Sequence, residues 1–367
     1  MLRRYRLKDY DFKLILMVLI LNIIGILAIG SAKESVQDKQ IMGMVLGVII
    51  MIMLSLFDYS LLLNLHWVFY VLNLVLLVLV VLMGDEAGGA QRWLEIAGIR
   101  FQPSETAKIL LILFYAQFIM KYREQLNTFK ILAASVLLFI PPWILIYKQP
   151  ALSTSIVVAI IFCVILFIGG LSYKIISSIF AVIIPLTVIF FSIVLQPDQT
   201  LIKGYQQTRI LAWLYPDQYT NTQGYQQANS IMAIGSGMLT GKGLNNNEIA
   251  SVKNGNFIPE PQTDFIFAVI GEELGFIGAA VVILLTFFIA LECIMAAKRS
   301  KDLAGTIICA GVATIIGFQS FFNISVATGL LPNTGMPLPF VSYGLTSLLS
   351  YYMGIGLVLN VRLQGHK

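Results

Sequence analysis

The sequence predicts an all-α, polytopic membrane protein of about ten transmembrane helices, with both termini cytoplasmic and a large extracellular loop. Three observations carry that reading. Of 367 residues, 58% are hydrophobic and 12% charged, and the mean hydropathy is +0.84, far more apolar surface than a soluble domain can bury. The apolar residues are gathered into stretches of spanning length. The Lys and Arg residues of the short connections collect on one side, as the positive-inside rule requires.

The stretches fall near 12–30, 41–57, 67–83, 104–120, 130–147, 155–172, 175–195, 264–297, 303–331 and 338–361. The first follows Arg3, Arg4, Arg6 and Lys8 and resembles a secretory signal, with small residues at Gly30 to Ala32. Its span length and the spans that follow favour a first helix that stays in place. With the N-terminus inside, the cytoplasmic side receives Lys121, Arg123, Lys130, Lys174, Lys298, Arg299, Lys301, Arg362 and Lys367. The stretches at 264–297 and 303–331 are long enough to be tilted or partly re-entrant.

Two outer segments stand apart. Gly84 to Pro103 holds Asp85, Glu86, Arg92, Trp93, Glu95 and Arg100, and the second runs from about 196 to 262. The latter is rich in Gln, Asn, Gly and Tyr, and its aromatic content argues against plain disorder. No fixed-period repeat or separate soluble unit is visible, so residues 1–367 read as one membrane domain.

Composition also excludes. A net charge of +5 without a basic, aromatic-interleaved run does not indicate nucleic acid. Cys163, Cys293 and Cys309 lie in apolar stretches and read as small buried hydrophobes. His66 and His366, both on the cytoplasmic side, support neither a His-based triad nor a zinc site. Gly235-Ser-Gly237 and Gly241-Lys-Gly243 are glycine-rich but lack the spacing and the preceding strand of a phosphate loop.

The run from Pro259 to Gly278 places Asp264, Glu272 and Glu273 where a long polar segment becomes apolar. Charge at a bilayer boundary is costly, which makes a functional role the working reading. Pro261 predicts a helix start with Asp264 in the first turn, favoured by the dipole and opposed by desolvation beside Phe265 and Phe267. An N-capping Asp is the structural alternative. Glu272 and Glu273 would pair with basic groups or line a hydrophilic cavity. Gln102 to Lys108 starts another helix, with Glu105 and Lys108 one turn apart, either a buried ion pair or a charge offered to an anionic ligand.

Arg92, Lys148, Arg209 and Lys242 are outer cations of the types that hold pyrophosphate. Tyr205, Trp213, Tyr215, Tyr219 and Tyr225 would stack on sugars or anchor the interface. Between Asn323 and Gly344, Gly329, Pro332, Gly335, Pro337 and Pro339 imply non-helical backbone that lines a cavity or is buried by other helices.

These motifs, in this order, resemble the SEDS family, the RodA/FtsW/SpoVE-type proteins of bacterial cell-wall synthesis, over nearly the whole chain. The resemblance rests on Gly89 to Trp93, Phe101 to Lys108, Lys148-Gln-Pro150, Ala233 to Gly237, Pro259 to Gly278 and Gly329 to Gly344. It implies a peptidoglycan glycosyltransferase that polymerises lipid II at the outer face of the bacterial cytoplasmic membrane, with Asp264 as the catalytic base. It also implies a cognate class B penicillin-binding protein as partner, beside lipid II and the growing lipid-linked glycan. Arg92, Lys108, Arg209 or Lys242, or a divalent cation such as Mg or Mn, would neutralise the departing pyrophosphate. Trp93, Glu105, Glu272 and Ser342 complete the substrate-binding candidates.

The chain departs from the family pattern at Ala151 and Ser153, where Asp and Gly usually precede the Thr that is Thr154 here. Gln262 stands where many members carry His, and Leu345 replaces a common Gly. A short N-terminus and the lack of a cytoplasmic tail lean towards an elongation-type, RodA-like member. Division- and sporulation-type members are the alternative, and a lipid II flippase or a noncatalytic scaffold are the rival classes.

Overall fold

The computed structural model describes residues 10–87, 90–96, 99–149, 152–196, 199, 202, 204–219, 224–245 and 257–365. The N-terminal cluster Arg3 to Lys8, together with Gly89, Pro150, Ala151, His366 and Lys367, lies outside the described residues, as does the side chain of Tyr205.

Ten long helices follow the apolar stretches. They are α1 (Phe12–Ala32), α2 (Gln37–Leu56), then after a short α3 (Tyr59–Asn64), α4 (His66–Met83) and α5 (Pro103–Lys121). α6 (Phe129–Lys148), α7 (Leu152–Ile168) and α8 (Tyr173–Val194) continue the series. The long outer segment contains α9 (Gly204–Leu214), α10 (Pro216–Tyr219) and α11 (Tyr225–Ser236), and α12 (Ile266–Lys298), α13 (Leu303–Ala327) and α14 (Leu345–Gln364) end the chain. Seven of the ten are long and apolar enough to cross a membrane by themselves. α5, α7 and α14 complete the set: α7 is apolar but short, at 17 residues. α5 and α14 are less apolar and most of their residues are buried inside the bundle. An even number of crossings puts both ends of the chain on one side.

Three helix starts at one end of the bundle, those of α1, α3 and α13, have a common cause. Asp11 accepts from the Leu14 amide at 3.2 Å, Asp58 from Ser60 at 2.9 Å and Asp302 from Gly305 at 2.8 Å, each satisfying a donor that the first turn leaves open. Arg362 of α14 then bonds Asp11 and, at 3.2 Å, Glu292 of α12, while Lys13 pairs with the same Glu292. One charge cluster thus ties three helix ends together.

α5, α13 and α14 form the interior, and α1, α2, α4, α6, α7 and α12 surround them. Because lipid is as apolar as Leu, close packing rather than water exclusion holds such helices together. Gly43 and Gly47, one turn apart on α2, meet Leu345, Leu348 and Tyr352, and Gly356 of α14 returns the contact against the Met51 backbone. The described side chains of α8 are exposed along nearly its whole length, as suits an apolar helix at the edge of the bundle. Cys293 and Cys309 are buried as expected, but Cys163 faces outward on α7. The three cysteines therefore do not share one environment.

The first outer segment, Gly84 to Pro103, carries the strands among the described residues. It forms a small antiparallel sheet, with β1 (Asp85–Ala87), β2 (Ala90–Ile96) and β3 (Ile99–Phe101) in the order β1-β2-β3. Trp93 faces Asp85 in the register, and Glu95 faces Arg100, an opposite-charge pair that favours this pairing. The sheet lies against α4 and α5 and brings Arg92 over the helix ends.

In the connection between α13 and α14, a re-entrant segment rich in Pro and Gly, the backbone is non-helical and from Met336 to Ser342 mostly buried. Met336, Leu338, Phe340 and Val341 are at most 3% exposed. Asn22 of α1 donates to the Phe340 carbonyl at 2.7 Å and Gln40 of α2 to that of Ser342 at 3.2 Å, replacing the bonds a helix would have made.

Candidate functional site

Asp264 does not sit in the first turn of α12 and does not cap it. The cap position is Phe265, without a side-chain bond, and residues 261–265 form a turn ahead of the helix. The reason lies in neighbouring backbone. Asn323 of α13 donates its Nδ2 to the Asp264 carbonyl at 2.8 Å and to that of Met336 at 2.7 Å. Ser342 donates to the Thr263 carbonyl at 2.6 Å while accepting from the Leu338 amide at 2.7 Å, and the Tyr343 amide donates to the Gln262 carbonyl at 2.9 Å. The turn is set by the re-entrant segment, and the carboxylate is left free of helix capping.

Chain geometry explains the level at which it lies. From Leu303 to Asn323, α13 rises about 30 Å, whereas an unbroken helix from Lys298 back to Phe265 would rise about 50 Å. α12 is broken at Gly275, where φ is 65° and ψ −163°, and this lets its first nine residues leave the axis. Asp264 thereby returns to the level of Asn323, at the outer edge of the span.

Arg92 from β2 and Arg209 from α9 act on the Asp264 carboxyl. The residue as a whole is half-buried, but its carboxyl is packed closely enough that desolvation dominates and pushes its pKa above the usual carboxylate range. The two guanidiniums pull it back, Arg92 more than Arg209. Arg92 is held by its Nε, which donates to the Gln149 carbonyl at 3.1 Å. α9 is held near the site by Trp213, which donates to the Gly329 carbonyl at 3.1 Å. Gly335, with φ of +67°, lets the re-entrant backbone pass close to the carboxylate: a Cβ there would stand 3.2 Å from Asp264 Oδ2.

The other candidates divide. Lys108 pairs with Glu105 at 2.8 Å and reaches Gln319 Oε1 at 3.2 Å, with both charged residues at most 2% exposed. Gln319 and Asn323 are one turn apart on α13, so this pair lies on the same helix face as the Asp264 anchor, one turn deeper. Lys242 pairs with Glu272 of α12 at 2.9 Å, eight residues after Asp264 in the chain. Glu273 accepts from Ser31 of α1. Ser342 is engaged with backbone on both sides, and Trp93 lies half-buried on β2 beside Arg92. Lys148, Tyr215 and Tyr225 are exposed. His66 bonds the Leu63 carbonyl and packs on Trp67 and Phe114, a structural role.

Among the described residues no three His, Cys, Asp or Glu side chains are placed to hold a metal ion. The positioning groups Asn323, Gln319, Gln149 and Gly335 were not singled out by the sequence as site residues. The polar positions of α13 at i and i+4 inside an apolar stretch were the available signal for two of them.

The family model of the FtsW/RodA/SpoVE cell cycle proteins matches residues 11–367. The peptidoglycan glycosyltransferase MrdB of Escherichia coli (strain K12) is 33% identical over 357 residues, covering 96% of this chain and 93% of that protein. A probable peptidoglycan glycosyltransferase FtsW of Geobacter metallireducens is 31% identical over 374 residues, covering 97% and 95%. Among solved structures, a chain of a peptidoglycan synthase complex described as coordinating polymerization and crosslinking aligns with a TM-score of 0.79 at 28% identity, over 96% of this chain and 97% of that one. The rod shape determining protein RodA of Thermus thermophilus aligns with a TM-score of 0.70 at 26% identity, over 98% of each chain. With these matches over almost its full length, the chain belongs to the FtsW/RodA/SpoVE family of cell cycle proteins.

Proposed function

We propose that this chain polymerises lipid II at the outer face of the bacterial cytoplasmic membrane, with Asp264 as general base. The enzyme is a peptidoglycan glycosyltransferase, the activity for which its relatives are named. The observation that carries the assignment of Asp264 is a desolvated carboxylate at the outer edge of the span, held by its backbone and faced by two arginines.

The chemistry follows from those groups. The 4-hydroxyl of the GlcNAc on incoming lipid II attacks the anomeric carbon of the MurNAc that carries undecaprenyl pyrophosphate. Ionised Asp264 takes the hydroxyl proton, the new C–O bond forms, and the bond to pyrophosphate breaks with its electron pair leaving on the phosphate. Attack from the opposite face converts the α-linked donor into a β-1,4 product. Base assistance of this type is worth about 10²–10⁴-fold. Arg92 and Arg209 raise the ionised fraction of Asp264 before reaction and stabilise the negative charge that develops on pyrophosphate. The lipid tails remain in the bilayer beside the bundle, which accounts for an enzyme embedded in the membrane.

Similarity to MrdB and to a rod shape determining protein favours cell elongation as the setting. The partner that fits is a class B penicillin-binding protein, since a similar chain works in a complex that couples polymerization to crosslinking. The decisive experiment is polymerisation of purified lipid II by Asp264→Asn protein. The expected result is loss of glycan strands with lipid II binding retained; a folded Asp264→Asn protein that polymerises at the normal rate sinks the assignment.

A further inference from the structure

The glycine-rich stretch that fits no phosphate loop fills the break in α12. In an unbroken helix the Phe276 amide would donate to the Glu272 carbonyl, and the Ile277 amide to that of Glu273. Here both bonds are open, and the segment Gly237–Gly243 replaces each with a pair. Phe276 donates to the Met238 carbonyl at 2.9 Å and Ile277 to that of Leu239 at 3.2 Å. The freed carbonyls of Glu272 and Glu273 accept from the Lys242 amide at 3.0 Å and the Gly243 amide at 2.9 Å.

Backbone must approach backbone for this to happen. A Cβ on Gly237 would stand 1.9 Å from the Gly271 carbonyl oxygen, one on Gly241 2.2 Å from that of Glu273, and one on Gly275 2.3 Å from the Gly241 amide nitrogen. All three positions are therefore closed to any side chain. The side chains add one further tie: Lys242 Nζ lies 2.9 Å from Glu272 Oε1, and Glu272 is only 3% exposed.

We infer that Gly237–Gly243 is a clasp that fixes the half-helix carrying Asp264, and that Lys242 and Glu272 are positioning residues acting through that half-helix rather than groups that touch substrate. The half-helix 266–274 is then held at both ends, by Asn323 and Ser342 beside Asp264 and by the clasp at Gly275. Its buried side chains and the Ser31–Glu273 bond pack this half-helix, and the clasp supplies the backbone bonds that its own broken axis lacks. Small displacements of a reacting group are costly: about 1 Å can lose on the order of a hundredfold in rate. As a statement about catalysis the inference rests on Asp264 being the base.

The test uses full-length protein in nanodiscs and two readouts, lipid II polymerisation and hydrogen–deuterium exchange. Lys242→Met and Glu272→Gln should each speed exchange over 266–274 while leaving α13 and α14 protected. They should lower kcat on the order of tenfold with KM within about twofold. Lys242→Arg should behave as the native protein, and the exchanged pair Lys242→Glu with Glu272→Lys should recover both readouts. Should Lys242→Met not fold, Lys242→Gln, which keeps a donor but drops the charge, serves in the same comparison. A raised KM with unchanged kcat and unchanged exchange overturns the inference, because that is the signature of direct substrate contact. An exchanged pair no better than the single variants overturns it too. Exchange is read without turnover, so an active Asp264→Asn protein would remove the proposed base while leaving the clasp result intact.

Discussion

Asn323 holds the Asp264 carbonyl at 2.8 Å and the Met336 carbonyl at 2.7 Å with the same amide nitrogen, so one side chain on α13 joins the proposed base to the re-entrant segment. The carboxylate itself takes no part in this bond. Its position is fixed through the backbone, and its oxygens remain available for a substrate proton.

Asn323→Ala should therefore lower kcat without removing any group that touches substrate. Two buried carbonyls lose their donor, a cost of about 1–3 kcal/mol each if water does not enter. Asn323→Asp should be worse than Ala, because a carboxylate can only accept and would face two carbonyl oxygens. Melting and lipid II polymerisation measured together test this. If Asn323→Asp retains full rate, the bond to Asp264 does not position the base.

Asp264→Asn should be at least as stable as the native protein although inactive. Burial holds the Asp264 carboxyl above 3.8, so the folded state binds its proton more tightly than the unfolded chain does. The stability from that proton is complete below 3.8 and is lost as pH rises through the higher folded value. At neutral pH the ionised carboxylate is a net cost, kept for function. Thermal melting in one detergent at neutral pH decides, and a clear fall in Tm for Asp264→Asn contradicts the desolvated carboxylate.

Arg92→Gln should move the acid limb of the rate profile to higher pH. The cation favours ionised Asp264, and its loss leaves desolvation less opposed. Since the base form is the active one, the rate at a fixed mildly acidic pH falls further than the rate on the plateau. Arg209→Gln should do the same to a smaller extent. A pH profile of kcat for both variants checks the order, and an unshifted limb in Arg92→Gln separates the guanidinium from the base.

Much of this was legible in the chain because a bilayer makes hydropathy nearly sufficient. All ten long helices fall on the apolar stretches, and the carboxylates of 259–278 stood out because charge at that boundary needs a reason. What escaped depends on pairing between distant segments. Strands of three to seven residues such as β1, β2 and β3 leave too short an alternation to see. Asp264 looked like a first-turn residue because nothing local reveals that Asn323 and Ser342 hold its backbone outside the helix. Gly275 lies inside an apolar helical stretch, and its break becomes visible only with the Gly237–Gly243 segment in place.

The buried pair Glu105–Lys108 gives the last expectation, because stability and catalysis should separate there. Lys108→Met leaves Glu105, 2% exposed, without its cation, and removing one partner of such a pair costs about 3–5 kcal/mol. Glu105→Gln alone strands the ammonium in the same way. The double variant Glu105→Gln with Lys108→Met leaves no unpaired charge and should recover most of the stability. Turnover should not return with it. Lys108 reaches Gln319, one turn below Asn323, so its charge contributes to the field beneath the site that must receive pyrophosphate. Melting and polymerisation of the two single variants and the double variant distinguish the roles. A double variant that is both stable and fully active would make the pair a packing device and remove Lys108 from the site.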